Sequence, residues 1–164
     1  MKLKVISLLA AAAALAACES SSDECLDVAG QGGAAGAHAV MGAATPGSVA
    51  DFVENVGDRV FFAFDKSAVE AEGMATIERQ AGWLKQYGQY TVTIQGHCDS
   101  RGTVEYNIAL GERRAEAAKR QLVSHGVADA RVKVISYGKN RQVVPEDGSE
   151  WAYQQNRVAI TVLD

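Results

Sequence analysis

The stretch that decides the fold is GHCDSRGTVEYNIALGERRA, residues 96–115. Just before and into it, residues 90–99 alternate. Val92, Ile94, Gly96 and Cys98 share one side, and Thr91, Thr93, Gln95, His97 and Asp99 share the other, the period of two expected of a β-strand. Further along, Gly111, Ala115, Ala118 and Leu122 fall on one helical stripe, and Gly126 follows as a stop. A helix is therefore predicted from about Thr103 to His125, with a small-residue face suited to close packing on a sheet. Gly102 suits the sharp turn between the two elements.

Outward from this junction the same two periods recur. RVFFAF, residues 59–64, reads as a strand bounded by Gly57-Asp58 and Asp65-Lys66. Ser67 and Glu70 have capping-box spacing, and Met74, Ile77, Ala81 and Leu84 then mark one face of a helix that Gly88 would end. VKVIS, residues 132–136, predicts a third strand. Val158, Ile160 and Val162 predict a last one over 157–163. The loop 138–150 holds Pro145 and Gly148, with a short helical turn expected around 150–155. The order β-α-β-α-β-β implies an α+β fold, a mixed sheet with helices packed on it.

The 164-residue length fits one domain plus a tail. Lys2 and Lys4 precede an apolar run from Val5 to Ala17, too short for about 30 Å of hydrocarbon at about 1.5 Å per residue. That pattern fits a signal peptide over 1–17. Leu15-Ala16-Ala17-Cys18 resembles a bacterial lipobox, which implies cleavage before Cys18 and lipidation there. Two or more acyl chains would make the anchoring stable. Glu19, rather than Asp, after the cysteine favours delivery to the outer membrane with the domain facing the periplasm. Residues 18–47, rich in Ser, Gly and Ala, read as a flexible tether with a root-mean-square span of about 30 Å. The domain is expected over 48–164. A bridge between Cys25 and Cys98 is disfavoured, because one lies in the tether and the other in a strand.

The net charge of −4 and the scarcity of aromatics argue against nucleic acid. His97, Cys98 and Asp99 invite a metal reading, but alternation sends Cys98 away from the other two, and zinc needs three or four convergent ligands. No metal and no cofactor are expected. The same orientation denies Cys98 the exposed thiolate of a nucleophile. Glu105 and Glu112 sit at helix positions expected to be solvated, which leaves Asp99 without a partner carboxylate, so no catalytic residue is assigned.

A charge clamp fits better. Asn107, Leu110 with Gly111, and Arg114 lie at i, i+3/i+4 and i+7 on one helical stripe, and Gly111 leaves room for a ligand. Backbone N–H groups near the helix start would suit an anion. Asp99, Asn107 and Arg114 together would suit a ligand carrying both an ammonium and a carboxylate, since the guanidinium fork matches a carboxylate. The competing reading is that Asp99 and Arg114 simply pair across the strand–helix junction. Exposed pairs contribute only about 0–1 kcal/mol.

GHCDSRGTVEYNIALGERRA, with VGDRVFFAFDKS, YTVTIQGHCD, VKVISYGKNR and QNRVAITV, resembles the signature of OmpA-like peptidoglycan-binding domains, over about residues 48–164. Together with the lipobox and tether, the resemblance is to lipid-anchored members that work with the Tol–Pal system. It implies a β/α sandwich that holds the diaminopimelate of a peptidoglycan stem peptide without covalent chemistry. Carried over by position, Asp99 would take the ligand's ammonium and Arg114 its carboxylate. Asn107, Leu110, Gly102 and Thr103 would line the pocket, with Phe64, Asp65 and Arg157 as further walls. TolB and other Tol proteins would be partners, in envelope integrity and constriction during division. A wall-binding lipoprotein outside that system, or a wall hydrolase, are the alternatives. Two departures stand out: Cys98 replaces the usual Ala or Thr, and Val158 stands where a second Arg often follows the Asn-Arg pair.

Overall fold

The computed structural model describes residues 44–164. The predicted signal peptide, Cys18, Cys25 and nearly all of the tether lie outside the described residues. The elements run α1 (Val49–Asp51) into a π-helical turn (Phe52–Val56), β1 (Arg59–Phe61), α2 (Ala71–Gln86), β2 (Val92–His97), α3 (Val104–Ser124), a 3-10 turn (Asp129–Arg131), β3 (Val132–Gly138), α4 (Glu150–Asn156) and β4 (Val158–Leu163). One four-stranded sheet has the order β1-β4-β2-β3. β2 and β3 are parallel, and β4 is antiparallel to both β1 and β2. The α+β class and the mixed sheet are thus as the sequence predicts. Among the described residues no helix is long and apolar enough to cross a membrane.

Helices α2 and α3 close the core. Ile77, Ala81, Trp83 and Leu84 from α2, and Ala115, Ala118 and Leu122 from α3, pack with Val60, Val92, Ile94, Val132 and Ala159 of the strands. The small-residue stripe of α3 does what its composition suggests. Gly96 and Gly111 meet so closely that a Cβ on Gly96 would overlap the Gly111 carbonyl. The room beside Gly111 is therefore taken by Gly96 and Ser136, and no ligand space remains there, contrary to the sequence expectation.

Three local details differ from the sequence reading. First, the segment Val49–Val56 is helical. It was too short to show periodicity, yet Phe52 enters the core edge-on to Trp83, at 5.0 Å between ring centroids, and Trp83 Nε1 donates to Asp51 at 2.8 Å. Second, β1 stops at Phe61. Beyond it, guanidinium groups replace strand partners: Arg157 Nε donates to the Phe62 carbonyl and Arg114 Nη2 to that of Ala63. Third, the Ser67–Glu70 capping box does not form. Helix α2 starts at Ala71 with Glu70 as an N-cap that makes no side-chain bond. Arg114 Nε holds the Lys66 carbonyl at 2.8 Å and Nη2 the Ala63 carbonyl, which anchors the chain just before Ser67.

Candidate functional site

Where β2 ends, the alternation ends with it. Pairing with β3 is irregular between Gly96 and His97. His97 then faces one side, while Cys98 and Asp99 both face a cleft on the other. This corrects the expectation that His97 and Asp99 point the same way. The opposition of His97 and Cys98 holds, and Cys98 is buried as predicted.

The cleft has a volume of about 220 Å³. Of the predicted residues it is lined by Asp99, Arg114, Asn107, Leu110, Gly102, Phe64, Asp65 and Arg157. Thr103 is not in the lining. Its side chain caps α3, with Oγ1 accepting from Tyr106 N at 3.2 Å, and its carbonyl accepts from Asn107. That cap also satisfies a first-turn N–H that the sequence reading left for an anion. Cys98, Arg101 and Tyr106 complete the lining and were not assigned from sequence.

Arg114 forms the floor. It is 0% exposed, the largest fully buried side chain described. Nε donates to the Lys66 carbonyl at 2.8 Å, Nη1 to the His97 carbonyl at 2.9 Å and to Cys98 Sγ at 3.4 Å, and Nη2 to the Ala63 carbonyl at 3.2 Å. A guanidinium has five N–H groups, so four bonds leave one Nη2 donor unused. Burial lowers its pKa, opposed by the nearby Cys98 and Asp99, but a guanidinium stays charged at any ordinary pH. Among the described residues no carboxylate lies within ion-pairing distance of it.

The expected Asp99–Arg114 pair is therefore not made. Asp99, 4% exposed, is held by two other guanidiniums: Arg101 Nη2 at 2.5 Å and Nε at 3.2 Å, and Arg157 Nη1 at 3.3 Å. The Arg101 backbone N–H adds a turn bond at 3.3 Å. Burial alone would raise the Asp99 pKa, but the hydrogen bonds and charge of Arg101 and the bond from Arg157 outweigh it and hold the carboxyl below its ordinary value. Asp99 stays ionised at neutral pH. Arg157 in turn reaches Glu150 at 2.7 Å and Gln154.

Arg101 forms the roof. Its guanidinium lies between two rings, 4.2 Å from the Phe64 centroid and 4.4 Å from that of Tyr153. Sequence reasoning missed it, because Phe64 and Tyr153 are remote in the chain and only the two-residue offset from Asp99 hinted at the contact. Gly102, at φ +90°, turns the chain beneath, and Asn107 spends its amide N–H groups on the Arg101 and Thr103 carbonyls at 2.7 and 2.9 Å. Asn107 thus holds the turn. Asp65 also lines the cleft, in a left-handed backbone conformation, φ +57°, that Asp adopts more readily than most non-glycine residues. Tyr106 Oη donates to its carboxylate.

Cys98 closes the back of the cleft. Its thiol donates to the Asn107 carbonyl at 3.3 Å, and burial pushes its pKa up to about 11 despite the nearby Arg114 charge. It is a packed thiol without nucleophile character. The result is a cleft with fixed charges of both signs, and with one desolvated cation that has no acid partner.

Residues 61–157 match the family model described as the OmpA family. A peptidoglycan-associated lipoprotein of Mesorhizobium japonicum is 57% identical over 123 residues, covering 74% of this chain and 72% of that protein. One from Rhizobium meliloti is 52% identical over 151 residues, covering 92% of this chain and 81% of that protein. Among solved structures, the peptidoglycan-associated lipoprotein of Burkholderia pseudomallei superposes with a TM-score of 0.63 at 40% identity, covering 65% of this chain and 90% of that one. The OmpA-like domain of FopA1 from Francisella tularensis shares the fold at 23% identity, with a TM-score of 0.55.

Proposed function

The chain belongs to the OmpA family, and from that premise we propose that it is a lipid-anchored tether that binds peptidoglycan without cleaving it. The ligand is the diaminopimelate of the stem peptide, whose far end carries both an ammonium and a carboxylate. The observation that carries this reading is Arg114, a fully buried guanidinium at the cleft with a free Nη2 donor and no acid partner. A carboxylate entering the cleft supplies that partner. Asp99 and the Asp65 rim supply the negative charge that an ammonium needs.

Desolvation explains why such a site binds at all. Three carbonyls already hold the guanidinium in one rotamer, so the ligand orders nothing when it docks. Hydrogen bonds to charged groups contribute about 1.5–3 kcal/mol each, which gives modest affinity for one stem peptide. A wall that presents many such peptides to a domain held by a lipidated Cys18 raises the effective concentration. The relatives' name, peptidoglycan-associated lipoprotein, supports the association with peptidoglycan. Outer-membrane placement and action with TolB and other Tol proteins during envelope constriction belong to the same proposal and follow from the resemblance of the sequence.

Calorimetric titration of the full-length chain tests the reading. A stem peptide with diaminopimelate is expected to bind at least about tenfold more tightly than one with lysine, which keeps the ammonium but lacks the carboxylate that meets Arg114. Equal affinity for the two would overturn it.

A further inference from the structure

On the other face of the sheet end, His97 is 2% exposed, and its Nε2 is the one buried side-chain N or O atom among the described residues with no partner. Its Nδ1 lies 2.9 Å from the Arg141 carbonyl. A carbonyl only accepts, so Nδ1 carries the hydrogen and Nε2 presents a bare lone pair. The ring faces Tyr137 at 5.4 Å and a cavity of about 230 Å³ lined by Gln95, Arg141, Gln142, Val143 and Ile160. The charged or titratable groups around it are Arg141 on the covering segment, Arg59 on β1 and Tyr137 on β3, with no acid among them.

We propose that His97 is an acid-sensitive latch: its protonation releases segment 141–146 and, with it, the supports of the cleft behind Asp99. An imidazolium here would carry a buried Nε2–H with no acceptor among the described residues, within the fields of the Arg141 and Arg59 charges. Burial acts first to lower the His97 pKa, the Arg141 carbonyl opposes it, and the charges of Arg141 and Arg59 lower it further. Opening the segment is the way for the ring to take up its proton.

The segment is wired to the cleft at two points, and His97 itself touches the cleft at a third. Asn156 Oδ1 accepts from Val143 N and Val144 N, and its amide returns to the Val144 carbonyl, just before Arg157. Glu146 Oε1 accepts from both Asn156 Nδ2 and Ser100 N, the residue after Asp99. The His97 carbonyl itself holds Arg114. Release of 141–146 therefore frees Ser100 and Asn156 together, which flank the two guanidinium partners of Asp99.

The sign follows from the lowered pKa. The closed form keeps its full stability above the ordinary value of 6.5, and loses it as pH falls from there through the closed-form pKa. If the closed form stays neutral, the opening equilibrium grows by up to about 30-fold between about pH 7.5 and about pH 5.

Two measurements on the full-length chain decide this, whether or not the cleft takes a stem peptide. NMR titration of the imidazole should place His97 below 6.5. Hydrogen exchange of residues 141–146 and 99–102, corrected for intrinsic rates, should accelerate by about tenfold or more over the same range. His97→Gln, whose amide can still donate to the Arg141 carbonyl, should abolish the acceleration. If His97→Gln fails to fold, the wild-type pair of measurements stands alone. An ordinary or raised His97 pKa, or acceleration below about threefold, would overturn the latch.

Discussion

Replacing Arg114 with Met removes the buried charge while keeping an unbranched side chain in its place. The guanidinium bonds three backbone carbonyls, those of Lys66, His97 and Ala63. The Ala63 carbonyl keeps the Lys66 N–H, so two carbonyls are left unpaired inside the protein, at about 1–3 kcal/mol each and about 2–6 kcal/mol together. Against this stands the relief of desolvating a cation, several kcal/mol for a fully buried ion. Taking about 5 kcal/mol from the upper part of that range, less about 3 kcal/mol of relief, the net expectation is a loss of about 2 kcal/mol, a sizeable share of the stability of a small domain. At the usual conversion for a domain of this size, that lowers the melting temperature by about 6 °C. Urea unfolding of the full-length chain followed by circular dichroism gives the number. Arg114→Lys, which keeps the charge and can reach carbonyls with three donors, should lose less stability but still lose diaminopimelate selectivity, because the fork is gone. If Arg114→Met unfolds at the same urea concentration as the parent, the guanidinium does not organise this region and the account of the cleft floor is wrong.

Gly96→Ala should destabilise by more than about 3 kcal/mol, because the new methyl group meets the backbone of Gly111 and neither side can yield without parting α3 from the sheet. A midpoint in urea within about 0.5 M of the parent would refute that close contact. Cys98 should resist a thiol reagent at neutral pH in the native chain and react fast in urea, since its thiol is buried with a pKa of about 11. Fast native labelling at Cys98, read by peptide mapping, would count against the packed position.

The sequence carried β2, β3, β4 and the two long helices through their periods, and β1, in part, through the turn residues that bound it. β2 alternates from Val92, and α3 runs on a stripe ending at Leu122 before Gly126. It also carried eight of the cleft-lining residues, most of them through the family resemblance. What it could not carry were pairings set by long-range contact. Asp99 looked free to pair with Arg114 because both bracket one junction. Only the folded chain brings Arg157 from the start of β4 and turns Arg101 back from two residues on. Gly111 looked like ligand space because a glycine on a helix has room until something packs there, and Gly96 does. The capping box at Ser67 failed for a similar reason. Arg114, 48 residues on, anchors the Lys66 carbonyl beside Ser67, a long-range hold on the entering chain that a local capping rule does not see.

The strand order has a consequence for how this chain reaches its native state. β4 comes last of the four strands in sequence but lies inside the sheet, and among the described residues β1 pairs only with β4. Until residues 158–163 are available, residues 59–61 have nothing to pair with, and β2 has only β3. Closing so long a loop is entropically costly and slow. A chain leaving the ribosome, or threading through a pore, thus stays open until its final strand is delivered, and the sheet is completed in one late step.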